Sequence, residues 1–326
     1  MPPEHTRKPA GWLSRRERGT LLGIQLAYWL TTALGRGATR WLAALIAAWY
    51  TLLNRSVRTS SRSWLQAVLE RPVRLRDIYR HVRTFVQVSI DRVFLLRGNH
   101  EIFAVTTNGR HHLHRALDSG RGALLLGAHL GSFEAMRADG AKRQMPLNII
   151  GHFQHAQMLN ALFQRLNPEL AARVIEIAPD SVDFIFEVKH ALEAGQLVGT
   201  MGDRVGLNEK SLRVEFFGRP ARLPTGPFVL ASVLKCPVFL TFGLYSEPNR
   251  YDLHCEPFSD ELHLPRAQRA ERLHALVQRY ATRLEEYCRK APYNWFNFYD
   301  FWEHAQRPPG VDHGEHPALG PGDSVP

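Results

Sequence analysis

The chain has 326 residues, 44% of them apolar, and a formal charge of +10 from 41 Lys plus Arg against 31 Asp plus Glu. That length holds one large domain or two small ones around a sizeable core. Three cysteines, Cys236, Cys255 and Cys288, are odd in number and far apart, which excludes a disulfide framework and a CxxC zinc half-site and predicts reduced thiols in a cytosol-facing domain. The basic excess suits an anionic membrane surface or an acidic protein partner. Nucleic acid is the competing partner and is set aside, because neither a Gly-aromatic motif nor zinc-finger spacing accompanies the charge.

In chain order, residues 1–20 are polar and basic (Arg7, Lys8, Arg15, Arg16, Arg18), and two apolar runs follow at Leu21 to Leu34 and Trp41 to Leu53. Each is shorter than the ~20 residues that cross a bilayer, and Arg36 and Arg40 separate them. No small-residue cleavage site follows the first run, which speaks against a signal peptide. Trp12, Tyr28, Trp29, Trp41, Trp49 and Tyr50 are aromatics of the type that sits at headgroup depth. Helices lying in the membrane interface are therefore favoured over a tilted span, with ordinary core helices as the structural alternative.

Between Arg55 and Arg83 there are eight arginines against Glu70 and Asp77. Residues 56–96 read as two amphipathic helices, with Ile78, Val82, Phe85, Val86, Ile90, Val93 and Phe94 at three-four spacing. Residues 102–106 read as a strand and Asn108-Gly109 as a turn. From Gly122 onward, apolar strands at 123–128, 147–151, 173–177, 197–201, 213–217, 238–244 and 251–256 alternate with helices at 132–143, 155–166, 181–194, 224–235 and 266–290. That rhythm predicts an α/β fold: a mostly parallel sheet flanked by helices on both faces, with an N-terminal apolar membrane-associating helical segment. The expected division is a leader with membrane-associating helices at 1–55, a catalytic domain at 56–304, and a Pro/Gly-rich disordered tail at 305–326.

The most informative stretch is GAHLGSFEAMRA. It places His129 at the carboxyl end of a buried strand, where open α/β sheets hold their ligands. Gly131 and Ser132 turn the chain into a helix that begins at Phe133, an arrangement able to bring Glu134 back against the imidazole. A carboxylate there fixes the tautomer and leaves the other ring nitrogen to deprotonate a hydroxyl. The bland alternative is a strand-end histidine beside a helix-surface glutamate.

Further along, VGTMGDRVG ends a second short strand in Gly202-Asp203-Arg204, and FFGRPARLPTGP leads through a turn into a helix at Thr225, Gly226 and Pro227. With GAHLGSFE, these segments resemble the bacterial lipid A late acyltransferase family, a branch of the lysophospholipid acyltransferase superfamily, from about Arg62 to Trp302. RRERGT near the start, RDIYRHVRTFVQVSIDRVFLLRG (Arg76 to Gly98) and YNWFNFYDFW (Tyr293 to Trp302) look like a subgroup found beside aryl-polyene and xanthomonadin-type pigment genes.

The resemblance implies a membrane-associated O-acyltransferase at the cytoplasmic face of a bacterial inner membrane. It would move an acyl chain from an acyl carrier protein thioester to a hydroxyl of a lipid or glycolipid. His129 is then the general base and Glu134 its partner, with Asp203 supporting or binding the acceptor. Arg204 is a candidate for an anionic headgroup or phosphopantetheine phosphate, or else for an ion pair with Asp203 or Glu209. Arg219 is a candidate phosphate or carboxylate clamp, and the backbone N–H groups at Thr225 and Gly226 are candidates for an anion or oxyanion. Phe216 and Phe217 read as core packing.

One departure concerns the acceptor. Family members acting on phosphorylated sugar lipids usually carry an arginine in the strand-to-helix segment after the first motif's helix, whereas NIIGHFQHAQMLNAL has His152 and His155 but no Arg before Arg165. A less anionic hydroxyl acceptor, or an unusual acyl chain such as an aryl polyene, fits better. His152/His155 and His111, His112 and His114 read as loop or cap residues, because Asp, Glu or Cys at a completing spacing is missing. No metal is expected, and no cofactor beyond the carrier thioester. Three alternatives stay open: a glycerol-phosphate or lysophospholipid type acyltransferase, which normally has Asp where this chain has Glu134; a thioesterase; and a catalytically silent scaffold that binds acyl carrier protein.

Overall fold

The structure is a computed structural model that describes residues 21–151, 173–177, 182–206 and 209–302. The basic leader at 1–20, the helix expected at 155–166, His152, His155 and the tail from 305 lie outside the described residues.

The centre is a seven-stranded sheet in the order β1-β9-β8-β2-β5-β3-β4. Its strands are β1 (Ala104–Asn108), β2 (Ala123–Gly127), β3 (Leu147–Gly151), β4 (Val174–Glu176), β5 (Leu197–Met201), β8 (Val238–Ser246) and β9 (Arg250–Ser259). All neighbours run parallel except β8 and β9, which form an antiparallel pair. The mostly parallel sheet is as expected from the strand-helix rhythm.

The continuous apolar run of β2 reflects its place. Strands flank it on both sides, helices cover both faces, and every one of its residues is buried. Leu124 and Leu126 pack into the main core with Phe228, Leu240 and Tyr280, whereas Ala123 and Leu125 pack on the other face with Leu147, Leu197 and Phe239. The period-two alternation of strand side chains thus divides one run between two layers.

A separate two-stranded hairpin joins β6 (Ser211–Phe216) to β7 (Arg219–Pro224). Its two turn residues, Phe217 and Gly218, both have positive φ, the backbone that tight hairpins with right-handed twist require. The sequence signals gave β6 but not β7. Pro220 and Pro224 disguise β7, and both are tolerated because a two-stranded sheet is all edge.

Among the described residues the helices are α1 (Leu21–Leu53), α2 (Arg55–Leu69), α3 (Leu75–Leu96), α4 (Arg110–Asp118), α5 (Phe133–Lys142), α6 (Asp183–Glu193), α7 (Gly226–Leu234) and α8 (Arg269–Lys290). Helix α4 was not expected: its RHHLHRALD sequence carries too few apolar residues to show a face, and only Ala116 is buried.

The two N-terminal apolar runs belong to one helix, broken at Gly35, whose φ of 71° leaves the helical region. Arg36, which looked costly in an apolar segment, makes two 2.9 Å bonds to the buried carboxylate of Asp91 on α3. Ala43 and Ala47 are fully buried and belong to the two largest core clusters. The second half of α1 is therefore packed into the body that carries the sheet. Its opposite side exposes Trp41, Leu45, Trp49, Leu52 and Leu53, with Trp29 exposed further back. Among the described residues no helix is long and apolar enough to cross a membrane.

Candidate active site

Strand register builds the centre of the site. β2 and β5 pair in parallel with Gly127 opposite Met201. Two residues beyond each strand end stand His129 and Asp203, side by side by construction of the ladder. The Gly202 N–H continues the ladder by donating to Gly127 O at 3.0 Å. A Cβ at Gly202 would lie 2.8 Å from a Leu126 methyl and 3.2 Å from the Tyr280 ring, so a larger residue here would have to push the Leu126 side chain aside.

Asp203 is fully buried and accepts four hydrogen bonds. Oδ1 accepts from His129 Nδ1 at 2.8 Å. Oδ2 accepts from the His129 backbone N–H at 3.1 Å, Trp295 Nε1 at 3.0 Å and Asn297 Nδ2 at 3.3 Å. Burial alone would raise this carboxyl, but the His129 ring, Arg204 and these donors outweigh it and hold it down at about 2. Asp203 is therefore ionised, and Nδ1 of His129 carries the proton that it donates.

That tautomer leaves Nε2 as a free base. The His129 side chain is 32% exposed, and among the described residues Nε2 has no hydrogen-bond partner. Burial of the remainder, then the nearby Arg204 and Arg92, push the imidazole below its ordinary value despite Asp203. His129 is consequently neutral at pH 7, the state a general base needs.

The turn after His129 is fixed by close packing. Gly131 has a φ of 74°, and a Cβ there would fall 1.9 Å from Gly243 O. The Gly131 N–H donates to Asn294 O, the Ser132 N–H to Gly243 O, and the Phe296 N–H to His129 O. Residues 294–297 thus run directly over the strand ends. Ser132 caps α5 by accepting from the Ala135 N–H at 3.1 Å.

Glu134 does not meet the His129 ring. Its carboxylate pairs with Arg92 of α3 at 2.9 Å, and the buried Arg137 lies within its field. The physical reason is direction: the cap at Ser132 starts α5 so that its first turn faces α3, while the imidazole is claimed by the strand-end carboxylate.

A model of the bacterial lipid A biosynthesis acyltransferase family matches residues 14–304. The chain belongs to that family. Among curated proteins, none matches it. Family membership implies an acyltransferase with a lipid acceptor and an acyl donor.

Several residues singled out in this acyltransferase from sequence stand elsewhere than expected. Arg204 is half-buried, feels the charge of Asp203, and forms no ion pair with Asp203 or Glu209 within 4.0 Å. It donates from Nε to Asn297 Oδ1 at 2.6 Å and from Nη2 to Phe296 O at 2.8 Å. Arg219 lies over the Trp302 ring, 4.1 Å from its centroid. Thr225 is spent on Lys210, whose carbonyl accepts from both its N–H and its hydroxyl.

At the start of α7 the expected anion is the chain's own. Glu209 accepts from the Gly206 N–H at 2.7 Å and also from the Gly226 backbone. Its Oε1 would be 2.7 Å from a Cβ at Gly226, so the close approach allowed by that glycine serves this internal carboxylate.

Trp295 and Asn297 are the site residues that sequence reasoning missed. The YNWFNFYDFW segment had stood out only as a subgroup signature, although two asparagines inside an aromatic run were a usable signal for buried polar contacts. The cysteines are free thiols as expected. Among the described residues no group of three or more His, Cys, Asp and Glu is placed to hold a metal ion.

Proposed function

We propose that this protein transfers an acyl chain from an acyl carrier protein thioester to a hydroxyl of a lipid or glycolipid, with His129 as general base. The observation that carries the reading is the neutral imidazole, bound through Nδ1 to buried Asp203 and open at Nε2. In the reaction, Nε2 takes the hydroxyl proton as the oxygen attacks the thioester carbonyl. The tetrahedral intermediate then collapses, the carbon–sulfur bond breaks, and the leaving thiolate takes the proton back from the imidazolium. Asp203 stabilises that imidazolium and keeps the ring oriented. Glu134 acts at one remove, by holding Arg92 away from the base.

Three further features support the reading. The exposed Trp41, Leu45, Trp49, Leu52 and Leu53 give α1 an apolar side suited to the cytoplasmic face of the inner membrane. A small, mostly apolar cavity of ≈ 60 Å³ lined by Leu113, Leu125, Phe133, Met136, Leu147 and Leu197 lies beside α5 and is an apolar place that an acyl chain could enlarge. An open groove of ≈ 470 Å³ beside Tyr293 is lined by Arg71, Arg76, Arg80 and Arg83. Arg71 and Arg83 pair with Asp77 and Glu247 in it, and Arg76 and Arg80 are left as the charges suited to an acidic carrier protein. The sequence departure after the first motif and the pigment-type signature at Tyr293 to Trp302 favour an aryl-polyene chain or a weakly anionic acceptor over the lipid A precursor.

The test is incubation of purified protein with acyl carrier thioesters and a total lipid extract, followed by mass spectrometry. Acylated lipid is expected, and its loss in His129→Ala. Release of free acid alone would make the protein a thioesterase, and no turnover of any thioester would leave only a carrier-binding scaffold.

A further inference from the structure

Asn297 stands between two opposite charges, the fully buried Asp203 and the half-buried Arg204. Its Nδ2 donates to Asp203 Oδ2 at 3.3 Å while its Oδ1 accepts from Arg204 Nε at 2.6 Å. Asp203 and Arg204 are adjacent in sequence, yet they form no ion pair within 4.0 Å. Instead, the guanidinium is satisfied by the Asn297 amide and the Phe296 carbonyl. The amide itself is 1% exposed, so water does not compete for either bond.

We infer that Asn297 is a positioning residue that keeps Arg204 off Asp203 and so reserves the carboxylate for the His129 imidazole. The argument is electrostatic. In a buried site, an arginine in direct contact with Asp203 would neutralise the charge that stabilises the imidazolium formed in the transition state. A neutral amide can satisfy both groups at once, since it offers a donor and an acceptor on one rigid plane. An apolar side chain would leave Nε of the guanidinium without an acceptor, with only Nη2 still held by Phe296 O, and the adjacent Asp203 carboxylate, whose charge Arg204 already feels, would draw it. Trp295 sits on the same carboxylate oxygen but donates only, so it cannot hold the arginine back. Residues 294–297 thus do more than roof the site: they set how much negative charge His129 feels.

This inference rests on His129 acting as the base, and its test is chosen to separate the two. The full-length protein carrying ¹³C-labelled histidine is titrated by NMR, the His129 signal being assigned by its loss in His129→Ala. Asn297→Ala is expected to lower the His129 titration by about one unit, the size of effect that one relocated neighbouring charge produces. In Asn297→Ala combined with Arg204→Gln the fall should disappear, because the relocating charge is gone. Asn297→Asp keeps an acceptor for Arg204 and adds negative charge, so it should move the titration upward, and it serves if the alanine variant does not fold.

In acyl transfer, Asn297→Ala should reduce kcat with KM nearly unchanged and move the acid limb of the pH profile downward. An unshifted His129 titration in both Asn297 variants would overturn the inference. So would a fall in Asn297→Ala that persists without Arg204. Titration shifts as described, in a protein that transfers no acyl group, would uphold the wedge and refute the acyltransferase chemistry instead.

Discussion

Two places in this molecule carry a carboxylate against backbone N–H groups at the end of a sheet element, and they have opposite fates. At the carboxyl ends of β2 and β5, Asp203 takes four donors and orients a histidine whose second nitrogen stays open. At the start of α7, Glu209 takes the backbone donors of Gly206 and Gly226, so the chain's own carboxylate fills that place. Both segments look equally like sites in the sequence. The difference lies in whether the internal carboxylate has a titratable partner that reaches solvent.

The largest expected effect tests the first place. His129→Ala and Asp203→Ala should each lower acyl transfer by ~10²–10⁴ with the fold retained, the range for a positioned general base. The double variant should be little worse than either single one, because the pair acts as a unit. Activity should rise with pH through a midpoint below the ordinary histidine value and be level by pH 7, since burial and the two arginines lower His129. Glu134→Gln, which frees Arg92, should push that midpoint lower still. An additive double variant would break the pairing of His129 with Asp203.

Next comes the support behind the site. His81 is wholly buried, with Nε2 against Trp295 O at 2.9 Å and Nδ1 against Ser61 Oγ at 3.2 Å. Burial pushes it down to about 4 from 6.5. The unfolded chain therefore binds a proton in this window that the folded protein refuses. Stability should be full above about pH 6.5 and fall by roughly 3 kcal/mol as pH drops towards 4. Urea unfolding across that range checks this, and His81→Gln should flatten the slope.

The second place predicts a smaller effect of a different kind. Glu209→Ala should cost about 1 kcal/mol in unfolding experiments, as loss of a helix cap does, while kcat stays near its original value. A large fall in kcat at full stability would return the α7 start to the active site.

The smallest effect concerns the groove on α3. Charge reversal at Arg76 or Arg80 should reduce kcat/KM for carrier-bound donor by a few-fold, about what one steering charge contributes. The same variants should leave a short pantetheine thioester untouched. Raised salt should mimic them, because the Debye length falls from about 10 Å at 0.1 M to roughly 3 Å at 1 M. Equal salt sensitivity for both donors would assign these arginines to lipid phosphates.

How much was legible in the sequence follows from which interactions are local. The buried strands, the amphipathic helices and the parallel sheet follow from apolar runs and their period, because each element must bury its own face. The few apolar residues of α4 and the prolines of β7 hid two elements whose order comes from neighbours rather than from their own pattern. His129 was legible as a strand-end histidine, and Asp203 as an acidic residue after a second strand.

What only the tertiary structure decided is the pairing. Seventy-four residues separate His129 from Asp203, and nothing in either segment says that β5 rather than α5 will supply the imidazole's partner. That is settled by the order of strands in the sheet, which sets β5 beside β2 in register. Likewise Arg36 reads as a misplaced charge until Asp91 appears opposite it, and Asn297 reads as an incidental polar residue among aromatics until both its neighbours are charged. The sequence by itself determined which elements form and which side chains can do chemistry, because propensity and burial act along the chain. The choice among several carboxylates and arginines within reach of one histidine is made by strand register and close packing, which act only across it.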